Sequence, residues 1–422
     1  MASMLSTKKR KQSLKELKSL GQQLLSSRAH VCVSGVAAAA PPRVSSLTPI
    51  FDELVRSLIH VLFSPQSEDT LREVVLDTLM DFVKLGNNGR FHSAIYHELL
   101  QTIVHSAESV DSVTDLLVSK YFKYIDVRYF TYISLEKLAT TLDVKDISDG
   151  LFVFASLVDD KTMSANGNDE SNPTASIELR IHKIHHIISN IPSQEGNNEK
   201  SEHEMWSGSG FSSKEGFEVL KTEDKKLKSD KNNNNVLSAD TIVRKMKLKF
   251  TKAWIAFLRL PLPIDIYKEV LVITHKAVVP FLSNPLMLCD FLTRSYDIGG
   301  VVSVMALSSL FILMTQHGLE YPNFYEKLYA LLVPSIFMAK HRAKFLQLLD
   351  SCLKSPLLQA YLAAAFAKKL TRLSLLVPPS GALVIIALIH NLLRRHPSIN
   401  CLVHRAEKRS YYLLFSFLSV QL

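Results

Sequence analysis

Glycine is scarce in this sequence, with 14 residues among 422, below the share of roughly 7% that is usual in proteins. Strand-rich folds need glycine at tight turns and bulges, so this scarcity favours helices. The sequence has only four cysteines, and no two of them are close enough for a CxxC pair: Cys32, Cys289, Cys352 and Cys401. Their spacing argues against a zinc or redox site and predicts buried thiols in a reducing compartment.

Motifs of catalysis are missing as well. The sequence has no GxxxxGK[ST] phosphate loop, no strand-linked GxGxxG and no GxSxG nucleophile turn. His182 and His186 stand four residues apart, which can bring two imidazoles to one metal, but no third ligand of fitting spacing lies nearby. We therefore predict no catalytic residue, no metal and no cofactor, and we interpret the chain as a binding protein rather than an enzyme.

A purely apolar run long enough to cross a bilayer is also lacking. The longest uncharged stretch, Ile298 to Leu319, has the length of a membrane helix, but glycine, serine, threonine, glutamine and histidine interrupt it. We interpret it as a buried core helix, with a membrane span as the alternative. The basic N-terminus is not followed directly by an apolar run, so no signal peptide is predicted.

What the sequence does contain is an excess of positive charge, formally +9. Such a balance favours partners rich in phosphate or carboxylate, RNA among them, or accompanies a nuclear address. A short basic run near the N-terminus predicts a nuclear import signal, with a solvated charge run as the alternative. That run consists of Lys8, Lys9, Arg10 and Lys11.

Apolar residues recur at helical spacing through two long parts of the chain, which predicts an all-α protein. Helices joined by short polar turns and repeating in pairs favour HEAT-like repeats, that is an α-solenoid, and a compact irregular helical domain is the alternative. The expected divisions are a basic tail over 1–12, a helical repeat domain over 13–158, a polar linker over 159–238, a second helical domain over 239–405 and an apolar tail over 406–422.

The linker over 159–238 is rich in Asn, Ser, Glu, Lys and Gly and poor in large apolar residues. Such a composition cannot offset the entropy of ordering, so the linker is predicted to be disordered. One helix is expected to interrupt it near 177–191, where four isoleucines form an apolar stripe. They are Ile181, Ile184, Ile187 and Ile188.

After the linker, an apolar helix face is predicted to start at Asp240, and basic residues spread over its opposite side. A basic helix face can contact RNA phosphates or an acidic partner, although an ordinary solvated face would look the same. The candidate contacts on this helix are Arg244, Lys245, Lys247 and Lys249.

The stretch from Tyr321 to Arg405 carries the most specific pattern. Its pieces are Tyr321-Pro322 with Phe324-Tyr325, the segment Lys344 to Asp350, the segment Tyr361 to Lys369, Pro378-Pro379, and Asn391 to Pro397. Together they resemble the C-terminal domain of the CCAAT-binding-factor/nucleolar-complex family. Basic residues near predicted helix C-termini complement the helix dipole and are further candidates for contact with RNA or an acidic partner. They are Lys368, Lys369, Arg372, Arg394 and Arg395.

This resemblance implies a non-enzymatic nucleolar scaffold of ribosome biogenesis. It implies action with nucleolar protein 14 in the small-subunit processome, in pre-18S ribosomal RNA maturation and 40S subunit assembly. The expected location is the nucleolus and nucleus, with the nuclear envelope as an option if Ile298–Leu319 spans a membrane. The alternatives are a DNA-associated transcription factor of CCAAT-binding type and a nuclear-envelope membrane protein.

The resemblance stops after His404-Arg405. Members of the family continue with an acidic loop that contains Asp and Pro and then with further helices, whereas here Ala406-Glu407-Lys408 leads into RSYYLLFSFLSVQL. We therefore expect a truncated or altered C-terminus, produced by alternative splicing or by an error in the gene model.

Overall fold

The fold is described from a computed structural model that covers residues 47–106, 111–146, 173–192, 204–207, 239–338, 342–356 and 358–403. Every regular element within these residues is helical, which confirms the all-α prediction. Contacts divide the chain into two compact units, Met1–Asn284 and Pro285–Leu422. Within each unit, some helices that follow one another pack as close pairs, as in HEAT-like repeats, and others pack against helices further along the chain.

The helices of the first unit begin and end close to where turn and capping residues predict. They are α1 (Leu47–Phe63), α2 (Asp69–Gly89), α3 (Ser93–His105), α4 (Asp111–Tyr121), α5 (Ile125–Asp146), α6 (Pro173–Asn190), α7 (Ala239–Leu258) and α8 (Ile264–Ile273). Pro65 follows the end of α1, and α2 ends in a run of glycine and asparagine. Residues 13–46 of the expected helical repeat domain lie outside the described residues.

Helix α6 is the helix expected inside the linker, and it begins at Pro173, slightly earlier than predicted. Its isoleucine stripe is buried, as its spacing indicates. The helix packs against α3, α4, α5 and α7, so it belongs to the core of the first unit. The remaining parts of the expected linker, 159–172, 193–203 and 208–238, lie outside the described residues.

Helix α7 also belongs to the first unit, whereas the expected domain boundary lies at its start. Its buried face packs along α5, where Phe250 meets the edge of Tyr132 with 5.5 Å between ring centroids. The contacts divide the two units after Asn284, so that α7 lies within the first unit. Composition marks where the polar linker ends, but packing decides which helices share a core.

The helices of the second unit follow a 3-10 turn at Pro285–Leu288. They are α9 (Cys289–Asp297), α10 (Gly300–His317), α11 (Phe324–Leu331), α12 (Arg342–Lys354), α13 (Ala360–Ser374) and α14 (Pro379–Arg395). Gly318 ends α10 with φ of 69°, a left-handed conformation that favours glycine at this position.

Helix α10 lies within the long uncharged stretch Ile298–Leu319. It is long and apolar enough to cross a membrane by length and composition. It packs against α9 and α12, and one of its sides is buried in the second unit. The buried residues include Val302, Ala306, Leu307, Leu310 and Leu313. A helix that supplies core residues in this way agrees with the core-helix interpretation, because a soluble core helix passes the same test of length and composition.

Candidate partner and nucleic-acid surfaces

The basic residues predicted on α7 differ in solvent exposure and in ion pairing. Arg244 is exposed, and Lys245 and Lys247 are half-buried. Lys249 lies 3.6 Å from the Glu136 carboxylate of α5, and both side chains are largely buried. Lys249 therefore joins two helices of the first unit, while the remaining three basic residues face solvent to differing degrees.

The basic residues of α13 divide in the same way. Lys368 and Arg372 are exposed and stand four residues apart, so they share one face of the helix. Lys369 turns inward: its ammonium donates a hydrogen bond to the Tyr329 carbonyl oxygen and lies 4.1 Å from the centroid of the Tyr329 ring. Burial lowers the pKa of Lys369. This lysine fastens α13 to α11.

At the end of α14, Arg394 and Arg395 are both exposed, but Arg395 pairs with an acidic residue of the same unit. The Arg395 guanidinium lies 3.1 Å from the Asp350 carboxylate, which also pairs with Lys354. Burial alone would raise the pKa of Asp350, but the hydrogen bonds from Lys354 and Arg395 outweigh it and lower that pKa. Arg395 therefore connects α14 to α12.

Three of the nine predicted contacts thus hold helices together, and six remain open to solvent within the described part of the chain. The structure brings Lys368 and Arg372 onto one helix face. Arg394 lies at the far end of α14, and because α13 and α14 pack against each other across a short turn, it is distant from Arg372. The predicted import signal, Lys8, Lys9, Arg10 and Lys11, lies outside the described residues.

An exposed apolar face on α14 was not among the predictions. Leu383 is 69% exposed and Ile386 is 57% exposed, and Val384 is exposed beside them. Leu375, in the turn that precedes the helix, is 84% exposed. The opposite side of α14 packs into the unit through Ile385, Leu388 and Leu392. The signal for this face was present in the sequence, since four consecutive apolar residues, 383–386, cannot all fit on one side of a helix.

The histidines of α6 do not converge on a common point. His182 Nε2 lies 3.5 Å from the Asp265 carboxylate, and His186 Nε2 lies 3.7 Å from that of Asp115. His185, between them, is buried with its ring stacked on Phe257. Among the described residues, no group of His, Cys, Asp and Glu side chains could hold a metal ion.

Burial lowers the pKa of His185, and the Glu269 carboxylate, 3.9 Å from its Nδ1, acts in the opposite direction. His182 and His186 lower this pKa further, and Asp265 raises it. The net effect is a histidine that favours the neutral form. Each of the three histidines therefore lies near a different carboxylate on a neighbouring helix.

The sequence matches known proteins along most of its length. The profile of the CBF/Mak21 family matches residues 303–412, which extends past Arg405, where the resemblance was expected to stop. The Arabidopsis thaliana protein named NUCLEOLAR COMPLEX ASSOCIATED 4 is 56% identical over an alignment 450 residues long, gaps included. The alignment covers 96% of this chain and 75% of that protein.

Animal proteins match a shorter region. The Mus musculus nucleolar complex protein 4 homolog is 50% identical over 165 residues, 39% of this chain and 32% of that protein. The Homo sapiens homolog is 53% identical over 156 residues, 37% of this chain and 30% of that protein. The chain therefore spans about a third of these animal relatives in the matched region. Given the helical fold, the match of residues 303–412 and the identity to the plant protein along nearly the whole chain, this protein belongs to the nucleolar complex protein 4 family, with a CBF/Mak21-type C-terminal region.

Proposed function

We propose that this chain is a non-enzymatic nucleolar scaffold of ribosome biogenesis. The observation that carries the proposal is its 56% identity, over 96% of its length, to a plant protein named for a nucleolar complex. Units built from packed helices offer long surfaces for partners, which is how helical-repeat proteins commonly act. At the finer level, the proposed role is action with nucleolar protein 14 in the small-subunit processome, during pre-18S ribosomal RNA maturation.

The exposed face of α14 supports a protein partner for the second unit. Leu383, Val384 and Ile386 present apolar surface on one helix, and such a surface suits the apolar side of a partner helix. Burying these side chains in a complex would remove them from water and stabilise it. We propose that this face, with the neighbouring Leu375, contacts nucleolar protein 14.

The experiment is affinity purification of the tagged chain from nucleolar extract. We expect nucleolar protein 14 and pre-18S RNA to be recovered together. The double variant Leu383→Gln/Ile386→Gln should recover about tenfold less nucleolar protein 14, because glutamine keeps the helix but removes the apolar surface. Val301→Gln, at an exposed apolar position of α10, is the matched control and should recover as much as the unchanged chain. Absence of nucleolar protein 14 from the unchanged chain would contradict the processome role.

A contact with RNA is the second part of the proposal, and it involves Lys368 and Arg372. Replacing both with glutamate should weaken RNA binding and reduce the salt dependence of binding by about one phosphate contact per residue. The measurement is binding of a pre-18S fragment at several salt concentrations. An unchanged salt dependence would show that α13 does not contact the RNA backbone.

The alternatives make different predictions in the same extract. A membrane protein that spans the bilayer through α10 would stay with membranes after carbonate extraction, whereas the scaffold would be released. A DNA-associated factor would bind CCAAT-containing duplexes in preference to pre-ribosomal RNA. Retention in membranes or preference for such DNA would each overturn the scaffold proposal.

A further inference from the structure

A short segment in the middle of the chain packs onto the first unit as a peptide ligand would. It consists of residues 204–207, Glu-Met-Trp-Ser, and the residues on both sides of it, 193–203 and 208–238, lie outside the described part of the chain. The contacts that the structure describes for this segment are made by these four residues. They involve α2, the end of α4 and the start of α5.

Trp206 is the anchor of this segment. Its indole packs against the edge of Tyr121, with 5.2 Å between ring centroids, and against Tyr124 at 4.9 Å. The Lys84 ammonium lies 4.6 Å from the centre of the indole ring, and the indole N–H donates a hydrogen bond of 3.0 Å to the Met80 carbonyl oxygen. Both the apolar ring and its polar edge are therefore satisfied, which is the usual form of a tryptophan anchor in an interface.

Asp126 accepts hydrogen bonds from the main chain of the segment. Its carboxylate is buried, and it accepts hydrogen bonds from the Trp206 amide at 2.9 Å and from the Ser207 amide at 2.8 Å. The Ser207 hydroxyl donates a third hydrogen bond, also 2.8 Å long. In return, the Ile125 amide, in the first turn of α5, donates to the Glu204 carbonyl oxygen at 3.1 Å. Charge-assisted bonds of this kind are stronger than neutral ones and fix the register of the segment.

The receptor side has supporting contacts of its own. The Tyr121 hydroxyl donates a 2.7 Å hydrogen bond to the Asp77 carboxylate, and Lys120 pairs with the same carboxylate at 3.2 Å. The Asp126 carboxylate also accepts a bond from the Val127 amide of its own helix. These contacts orient Tyr121 and Asp126 from within the first unit, in addition to the contacts that the segment makes.

We propose that this site is a peptide-binding site for a tryptophan followed by a small hydroxyl residue, and that residues 204–207 are its resident, displaceable ligand. The pocket between Tyr121, Tyr124 and Lys84 selects the indole ring. Asp126 selects the following serine, since the buried Ser207 donates through both its amide and its hydroxyl group. The segment thereby fastens the middle of the chain to the first unit at a second point besides α6.

The test uses the full chain with Trp206→Ala, which empties the pocket without touching the receptor, and a labelled peptide of residues 200–211. We expect the peptide to bind the Trp206→Ala chain, and to bind the unchanged chain at least about tenfold more weakly because its own segment competes. Fluorescence anisotropy measures both affinities, and circular dichroism verifies that the variant is folded. Equal affinity for the two chains, or no binding to the folded variant, would overturn the proposal.

Variants of the peptide keep the test independent of protein folding. A peptide with Trp206→Ala should not bind, and one with Ser207→Asp should bind at least about tenfold more weakly, because it places a second carboxylate against Asp126. On the receptor, Asp126→Asn added to the Trp206→Ala chain should weaken binding, while Asp52→Asn, an exposed position on α1, should not. Equal binding of the unchanged peptide and of its two variants would show that the site recognises neither the indole nor the serine.

Discussion

The two units differ in what covers their helices. In the first unit, α6 and Trp206 return from the middle of the chain and cover α2, α3, α4 and α5, so that carboxylates such as Asp126 are satisfied from within. In the second unit, the outward face of α14 keeps Leu383 and Ile386 exposed. The two units therefore differ at these surfaces: the first is covered there by a segment of its own chain, and the α14 face of the second is exposed. The uncovered residues, more than the type of fold, indicate where a partner binds.

The largest effect should come from the core of the second unit. Phe324 is fully buried and stacks with Tyr296 at 5.5 Å and with Phe311 at 6.1 Å between ring centroids. Phe324→Ala should lower the free energy of unfolding of this unit by about 3–5 kcal/mol, since it removes a ring and leaves a cavity. Hydrogen exchange of the second unit measures the loss. The matched control is Tyr361→Ala, at an exposed position, which should leave the exchange unchanged.

The second largest loss of stability should come from a substitution in the core-facing side of α6, which tests whether this helix stabilises the first unit. Ile184 is fully buried, so Ile184→Ala should cost about 2–3 kcal/mol, in the lower part of the range for such a change. Both tryptophans, Trp206 and Trp254, belong to the first unit, so tryptophan fluorescence during urea unfolding reports on it. Glu178→Ala, at an exposed position of the same helix, is the control. Equal midpoints for the two variants would mean that α6 adds little to the unit.

The two units should also differ in how their free energies of unfolding respond to acid. The pKa of His185 is lowered by burial, so the unfolded chain binds a proton more readily than the folded one. The free energy of unfolding of the first unit should fall as the pH drops below about 6.5, by at most about 1.4 kcal/mol per pH unit for this residue. His97, whose pKa burial also lowers, acts in the same direction. His185→Phe should reduce the pH dependence of the free energy of unfolding, as measured by tryptophan fluorescence. An unchanged pH dependence would show that other groups cause it.

The carboxylates of the second unit titrate at lower pH. Burial alone would raise the pKa of Asp297, but hydrogen bonds from Lys327 and Tyr321 outweigh it and lower that pKa, and Asp350 is lowered in a similar way. Their contribution to stability is therefore present above pH 3.8 and is lost as the pH falls through their lowered values. Between pH 7 and pH 5, these two groups should cause no change in hydrogen exchange of the second unit.

The smallest effect on stability should come from the open face of α14. Leu383→Gln should change the free energy of unfolding of the second unit by no more than about 0.5 kcal/mol, because the side chain is already in water. Hydrogen exchange of α12 to α14 measures this. A loss above about 2 kcal/mol would show that Leu383 is covered within the chain, and the surface would then no longer be open to a partner.

Local patterns predicted the helices well. The isoleucine spacing of α6, the proline after α1 and the proline pair at the start of α14 act within a few residues, so the sequence alone reveals them. Polar composition predicted a linker over 159–238, and it concealed the packed residues 204–207 within that range. Trp206 gains its partners at Asp126 and Met80, 80 and 126 residues away along the chain, and no periodicity signals such contacts.

The basic residues show the same limit. Lys368 and Lys369 are neighbours in sequence and carry the same charge, yet one faces solvent and the other lies over the Tyr329 ring. Arg394 and Arg395 are both exposed, and they differ in that Arg395 pairs with Asp350. Charge and spacing predict a basic helix side, but which cation is used internally depends on the helix packed beside it.

The sequence by itself determined the all-α class, most helix bounds and the family, because periodicity, capping residues and residue identity are properties of neighbouring positions. Only the tertiary structure decided that α7 shares a core with α5, that Trp206 occupies a pocket on the first unit and that one face of α14 stays open. The physical reason is that burial is shared between segments distant in sequence. An apolar or charged side chain takes its role from the surface that it meets.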